Sequence, residues 1–175
     1  MENKKGIFNV VDVAKYICHK YYFDYSKEKK EISPIKLQKS LYFLFAYWGG
    51  FIRKSNDNVN YVEEKISLSE YLFDENFQAW VYGPVIPSIF RMYRDKNLEY
   101  KDFNINAMFD DVDSIVKESI DSLLDELFTV SDFKLVSVSH EDNCWKNHFN
   151  ITSVEHNESI PSVEILQEYA LRESL

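Results

Sequence analysis

Residues 34–50 read PIKLQKSLYFLFAYWGG, and this stretch decides the fold. Ser33 before it is a favourable N-cap, and Pro34 suits the first helical position, so a helix is predicted to begin here. Gly49 and Gly50 predict its end, because glycine favours the position just past a helix C-terminus. Apolar residues occupy nearly every side of this helix. That pattern is typical of a helix buried at the centre of a bundle, or of one that lends a face to a partner.

Caps and apolar spacing predict five further helices around this central one. They cover about 10–22, 87–94, 110–127, 131–140 and 161–172. Residues 51–70 read as a polar excursion, with short extended pieces near 59–61 and 66–68 that form at most a small hairpin. The stretch FQAWVYGPV, at 77–85, is expected to be extended or turn-like because a residue before proline avoids the α region.

The predicted fold class is therefore mainly α. We expect a single compact domain of about six helices around a central aromatic helix, with at most a small β-hairpin. This domain is expected to occupy 1–175, with a core at about 8–145 and a C-terminal helix at about 161–172. Four glycines and four prolines are too few for a turn-rich β-sandwich or barrel.

Composition excludes several function classes. The 175 residues include 45% hydrophobic and 16% aromatic side chains, which excludes a disordered chain. With 20 Lys and Arg against 29 Asp and Glu, the net charge is −9. Binding to nucleic acid is disfavoured, because neutralising phosphates requires clustered cations. A basic protein partner suits such a charge better.

The two cysteines, Cys18 and Cys144, are too few for a disulfide framework and predict reduced thiols. The N-terminal residues carry charge without a following apolar run, so no secretory leader is expected. No stretch approaches the ~18 apolar residues of a membrane span. These features predict a cytoplasmic protein that does not enter a membrane.

His140, Cys144 and His148 are spaced by four residues and would share one face of a continuous helix. Such a face could bind zinc, and the chain could then be a metal-dependent hydrolase. However, the turn-forming residues 141–143 interrupt that helix, and a fourth ligand is not obvious. The hydrolase remains the less favoured alternative, and we assign no catalytic residue, metal ligand or cofactor. The predicted 87–94 helix carries Arg91, Tyr93 and Arg94, which are candidates for a partner surface.

Three segments resemble one protein family. The first is KLQKSLYF at 36–43, and the second runs from LFDE at 72–75 to AWVYGPVIP at 79–87. The third is LVSVSH at 135–140, followed by Trp145. In this order they resemble the Panacea domain of SocA-like antitoxins. The third segment departs from the family pattern, since Val136 replaces a usual serine and Cys144 a usual proline.

This resemblance implies a partner-binding domain that is not an enzyme. Members of the family neutralise toxins by direct binding, and one branch delivers its toxin to a cytosolic AAA+ protease. The resemblance therefore implies an antitoxin, with a cognate protein toxin and, in that branch, the protease as partners. Family members also occur in phages, so a phage- or mobile-element-encoded inhibitor or adaptor that binds a host defence or replication protein is the alternative.

The family motifs point to a set of candidate residues, namely Lys36, Gln38, Lys39, Trp80, Tyr82, Gly83, Pro84, His140 and Trp145. Motifs shared by proteins with different partners favour a framework role over partner recognition. The two lysines, expected on the polar side of the central helix, and His140 are the best polar candidates for a shared site. Partner recognition is then expected in residues 51–70, 87–97 and the tail after 147. The apolar faces of the central helix leave a homodimer open.

Overall fold

The computed structural model describes residues 6–58, 67–152 and 158–172. Within these ranges the chain forms eight α-helices, a π-helical turn at Tyr21–Tyr25 and a three-stranded sheet. The helices are α1 (Val10–Lys20), α2 (Pro34–Asp57), α3 (Pro87–Arg94), α4 (Ile105–Phe109), α5 (Ser114–Thr129), α6 (Asp132–His140), α7 (Asn143–Lys146) and α8 (Ser162–Ala170). The strands are β1 (Phe77–Trp80), β2 (Gly83–Val85) and β3 (Ser159–Ile160). The predicted mainly α fold class is confirmed, with more helices than the six expected.

Helix α2 lies at the centre of the domain. Its first turn is capped as predicted, because the Ser33 hydroxyl accepts a hydrogen bond from the Lys36 amide at 2.9 Å. The helix contacts α1, α3, α5, α6, α8 and β2. Its side chains Leu37, Leu41 and Phe45 are fully buried. A helix surrounded in this way must be apolar on most sides, which explains the composition of residues 37–48.

The predicted end of this helix at Gly49 and Gly50 is wrong, because α2 continues to Asp57. Residues 51–57 are therefore helical and not part of a polar excursion. The two glycines are needed because α8 crosses here at close range. A Cβ on Gly49 would collide with the Leu166 side chain of α8 and would also lie 2.5 Å from the Glu70 carbonyl oxygen, and one on Gly50 would lie 2.6 Å from the Tyr169 Cβ of α8. Glycine thus serves close packing in this helix.

The sheet has the order β2-β1-β3, and both pairings are antiparallel. Strands β1 and β2 form a hairpin that is closed by Val81 and Tyr82, with Trp80 opposite Gly83. Strand β3 pairs with the other edge of β1, so that Phe77 faces Ile160. The expected extended character of 77–85 is confirmed. The hairpin predicted near 59–61 and 66–68 lies largely outside the described residues.

One predicted helix start requires correction, and a short helix that precedes it was not predicted. Helix α5 begins at Ser114 and not near 110, because Asp113 is its N-cap and accepts a hydrogen bond from the Ile115 amide at 3.1 Å. The preceding residues form the short helix α4, which the sequence analysis did not predict. Caps at Asn9 and Ser131 are found where they were predicted. Local cap chemistry therefore places most helix starts correctly.

Both cysteines are buried free thiols, in agreement with the prediction. None of the helices in the described ranges, the 24-residue α2 included, is long and apolar enough to cross a membrane.

Candidate functional site

The family-motif residues converge where the β1–β2 hairpin packs against α2 and α6. Gln38 on α2 binds the residue that follows β2 through both ends of its amide. The Ile86 amide donates to the Gln38 Oε1 at 2.8 Å, and the Gln38 Nε2 donates to the Ile86 carbonyl oxygen at 3.4 Å. These two hydrogen bonds satisfy the buried backbone amide and carbonyl groups of Ile86, which have no neighbouring strand to pair with. Gln38 therefore fixes the hairpin on the central helix.

Lys39 is the next anchor, and its side chain is only 1% exposed. The Nζ atom donates a hydrogen bond to the Pro84 carbonyl oxygen at 2.6 Å. Burial lowers the pKa of Lys39 to about 7, although the charge of Asp142 acts in the opposite direction. Burial has this effect because a charged amine is poorly solvated inside a protein. Near neutral pH, Lys39 therefore exists in both protonation states.

Gly83 occupies the turn directly above this amine. Its φ angle of +91° lies in the region that favours glycine. A Cβ at this position would lie 2.8 Å from the Lys39 Nζ and would also collide with the Ser139 hydroxyl. Both the backbone conformation and the space available therefore require glycine in the YGP motif.

Trp145 and His140 close the other side of the hairpin. The Trp145 Nε1 donates to the Trp80 carbonyl oxygen at 3.0 Å, which joins α7 to the end of β1. The His140 ring stacks on the Trp145 indole, with 4.0 Å between ring centroids and 14° between planes. Burial and, secondly, the charge of Lys39 lower the pKa of His140. The imidazole is therefore neutral at pH 7 and contributes an aromatic surface.

The expectation that Lys36 and Lys39 lie on a polar side of the central helix is wrong. Both side chains are buried, because the hairpin and α6 cover this side of α2. Lys36 contacts a different region from Lys39. Its Nζ donates to the Val130 carbonyl oxygen at the end of α5 and lies 3.4 Å from the Asp132 carboxylate. A cation at a helix C-terminus is stabilising, which gives Lys36 a structural role.

The residues of the zinc hypothesis do not form a metal site. Cys144 is buried 3.4 Å from the Tyr42 hydroxyl, and burial raises the pKa of Cys144 to about 12. His148 instead pairs with Glu164, with 2.8 Å between the Nε2 and the carboxylate. In the described ranges there is no group of three or more His, Cys, Asp or Glu side chains that could hold a metal ion.

Asp142, expected in a turn and considered as a fourth ligand of the zinc hypothesis, instead has a role in the core that was not predicted. Its fully buried carboxylate accepts hydrogen bonds from the Tyr42 hydroxyl at 2.5 Å and the Tyr169 hydroxyl at 2.8 Å. The Arg172 guanidinium completes this polar cluster with an ion pair. Tyrosines in otherwise apolar helices were the available signal, because a buried phenol usually needs a hydrogen-bond partner. The cluster ties α2, α7 and α8 together.

Beside the anchored hairpin lies an open groove of about 340 Å³, which we call the hairpin groove. It is formed by the start of α2, the hairpin and α3. Its apolar lining residues are Pro34, Ile35, Trp80, Val81, Tyr82, Val85 and Phe90. At the rim, the side chains of Val81 and Tyr82 are 55% and 57% exposed. The polar lining side chains, Gln38 and Lys39, are already hydrogen-bonded to the hairpin, so the groove presents a mainly apolar surface.

The three predicted partner-surface residues lie on α3, whose Phe90 lines this groove, and they differ in environment. Arg91 is exposed. Arg94 forms an exposed ion pair with Asp95 at 2.8 Å. The Tyr93 hydroxyl donates to the Ile32 carbonyl oxygen, so this half-buried side chain braces the fold. The two arginines are therefore better placed than Tyr93 to contact a partner.

Comparison with known proteins finds a family match within the chain. The family model described as "Antitoxin SocA-like, Panacea domain" matches residues 61–146. This segment contains the hairpin, α3, His140 and Trp145, whereas the KLQKSLYF motif of α2 precedes it. No curated protein and no solved structure matches the chain. The resemblance seen in the sequence motifs is confirmed: residues 61–146 are a match to the Panacea domain of SocA-like antitoxins.

Proposed function

We propose that this protein is an antitoxin that neutralises a cognate protein toxin by binding it directly in the cytoplasm. The observation that carries the proposal is the family match over 61–146, the segment that contains the anchored hairpin. The coarser conclusion, a role related to toxin–antitoxin systems, follows from that match. Direct binding and the identity of the toxin are the proposed steps.

The contacts of the motif residues favour binding over catalysis. Lys39 and Gln38 are occupied by hydrogen bonds to the hairpin, and His140 stacks on Trp145. These are the contacts of a framework that holds a surface in place. The hairpin groove beside them is open and apolar, and it carries an exposed tyrosine at its rim. Such surfaces supply the aromatic contacts that dominate many protein interfaces.

The test is a co-expression experiment. Each reading frame adjacent to this gene is placed under an inducible promoter and expressed with and without the protein. We expect one neighbouring product to stop growth alone, and co-expression to restore growth and give a stable complex. Failure of every neighbouring product to inhibit growth, or inhibition that the protein does not relieve, would contradict the proposal.

The same experiment separates two modes of neutralisation. Toxin that accumulates in the complex indicates that binding blocks its active surface. Toxin that disappears in wild-type cells and persists in cells without the AAA+ protease indicates delivery for degradation. A tagged pull-down that recovers a host defence or replication protein instead of a neighbour would favour the inhibitor or adaptor alternative.

A further inference from the structure

The hairpin groove adjoins a second cavity along α3. This second cavity has a volume of about 360 Å³, and Pro34 and Phe90 line both cavities. The two cavities are therefore neighbours on one side of the domain, with Tyr82 lining the first and Arg94 lining the second, and we call them together the combined groove. A protein segment several residues long could therefore lie across both cavities.

The two parts of this groove differ in chemistry. The hairpin groove is apolar, and its two polar side chains are satisfied within the domain. The second cavity is lined by the cations Arg94 and Lys96 against the single carboxylate of Glu31. We call this second cavity the basic cleft. The combined groove therefore offers an apolar end and a cationic end.

The positive charge of the basic cleft stands out against the whole chain. Residues 91–96 contain Arg91, Arg94 and Lys96 with Asp95 as the only acid, whereas the chain carries a net charge of −9. Asp95 pairs with Arg94. Arg91 and Lys96 are exposed and make no ion pair with any residue in the described ranges. These two cations are therefore available to a carboxylate from outside the domain.

We infer that the combined groove binds an acidic amphipathic segment of the partner protein. Bulky apolar side chains of that segment fill the hairpin groove, and its Asp or Glu side chains contact Lys96 in the basic cleft. Apolar burial supplies most of the affinity, because exposed ion pairs contribute little on their own. The carboxylates set orientation and specificity by complementing the local charge. The net charge of −9 influences how the whole partner protein approaches this domain. The combined groove determines which segment of the partner binds.

This inference rests on the proposed function only in naming the occupant as a segment of the toxin. Its test does not use the toxin. Full-length protein is immobilised and used to select short random peptides displayed on phage, with counter-selection against the Val81→Glu variant. We expect the enriched peptides to combine aromatic or leucine side chains with Asp or Glu.

The strongest peptide is then synthesised with a fluorophore, and its binding is measured by anisotropy. Val81→Glu should weaken binding by about tenfold or more, because it places a charge in the apolar end. Lys96→Glu should weaken it several-fold, whereas Lys96→Arg should not. Added salt should reduce the difference between wild type and Lys96→Glu, because the affected contact is exposed.

Phe51→Glu is the matched control. Phe51 is 62% exposed and lines a separate cavity with Leu44 and Leu123. Residues 35 and 51 lie on the same helix about 24 Å apart, given a rise of 1.5 Å per residue. Phe51→Glu should therefore leave peptide binding unchanged. Circular dichroism of each variant verifies that the fold is intact.

Three results would overturn the inference. Enrichment of basic or uncharged peptides, or equal binding by wild type and Lys96→Glu, would exclude an acidic occupant. Loss of binding in Phe51→Glu would place the site elsewhere. A wild-type dimer that Val81→Glu converts to a monomer in sedimentation equilibrium would show that a second copy of the chain fills the groove.

The toxin assay separates this inference from the proposed function. If wild type relieves toxicity and the groove variants do so equally, the groove inference fails and the antitoxin function stands. If no neighbouring product is neutralised but acidic peptides bind the groove, the antitoxin function fails and the groove inference stands.

Discussion

The Lys39 Nζ lies 2.6 Å from the Pro84 carbonyl oxygen, and this bond joins the central helix to strand β2 of the hairpin. Gln38, the adjacent residue, binds the backbone of Ile86. Two consecutive side chains of α2 thus replace the hydrogen bonds that a further strand would make to β2. The position of the hairpin groove relative to α2 depends on this pair.

The buried amine predicts a pH dependence of stability. The pKa of Lys39 is lowered to about 7 in the folded protein, whereas an unfolded lysine titrates near 10.4. Above pH 7 the unfolded chain therefore binds more protons at this site than the folded chain does, and stability rises with pH. The stability of wild type relative to Lys39→Met should increase between about pH 7 and pH 9, by up to ~1.4 kcal/mol per pH unit. Urea unfolding at several pH values measures this difference.

Lys134→Met provides the comparison for that experiment. Lys134 is exposed on α6, so its replacement should change stability by a constant amount over the same pH range. A flat difference between wild type and Lys39→Met would show that Lys39 does not titrate near neutrality.

Gly83→Ala should destabilise the fold strongly. The new side chain would require a φ of +91° and would collide with Lys39 and Ser139. A residue with a Cβ in such a conformation costs about 1–3 kcal/mol before any collision is counted. Tyr82→Ala, at the exposed neighbouring position, should cost less than about 0.5 kcal/mol. Chemical denaturation of the two variants compares them, and equal midpoints would refute the requirement for glycine.

Alanine at Gly49 or Gly50 should destabilise the protein, although helix propensity alone predicts the opposite. Propensity favours alanine over glycine by about 1 kcal/mol inside a helix. Here, however, the added methyl group would collide with Leu166 or Tyr169 of α8, and at Gly49 also with the Glu70 backbone. We expect both variants to have a lower melting temperature than wild type. Ser55→Ala in the same helix is the control and should raise stability slightly, whereas a gain at Gly49 or Gly50 would contradict the close helix approach.

Asp142→Asn should be among the most damaging conservative substitutions. The buried carboxylate accepts two tyrosine hydroxyls and pairs with Arg172, whose side chain is 34% exposed. Losing hydrogen bonds to a buried charged group costs about 1.5–3 kcal/mol. Asp102→Asn, at an exposed position, should be nearly neutral. A double-mutant cycle with Arg172→Gln should show a coupling of at least about 0.5 kcal/mol, and additive effects would show that the pair contributes nothing.

Features with a local cause were predictable from the sequence. Asn9, Ser33 and Ser131 mark helix starts, because a cap satisfies amides only two or three residues away. The aromatic composition of α2 likewise predicted its central position. The candidate motif residues do meet around the hairpin, although the sequence alone could not indicate which of them are buried.

Features set by distant contacts were not predictable. Gly49 and Gly50 have the same local signature as a helix stop, and only the approach of α8 distinguishes them. Lys39 has a charged side chain and a polar neighbour, so nothing local reveals that the hairpin covers it. In the sequence Asp142 resembles a turn residue, and only its hydrogen bonds to Tyr42 and Tyr169, which are distant in the chain, show its role in the core. In each case the residue that determines the structure, whether Pro84, Tyr169 or Leu166, is more than 25 residues away in the chain.

Helix α8 has a practical consequence for the choice of expression boundaries. The family match ends at 146, yet Leu166 and Tyr169 of α8 fill the space above Gly49 and Gly50. A fragment trimmed to the matched segment would lack both α8 and the central helix on which it packs. Exchanging that segment alone with a related domain would therefore move the hairpin and α3 without the helices that support them. A fragment or chimera should therefore keep Ser33 and α1 as well as α8, because all three support the central helix.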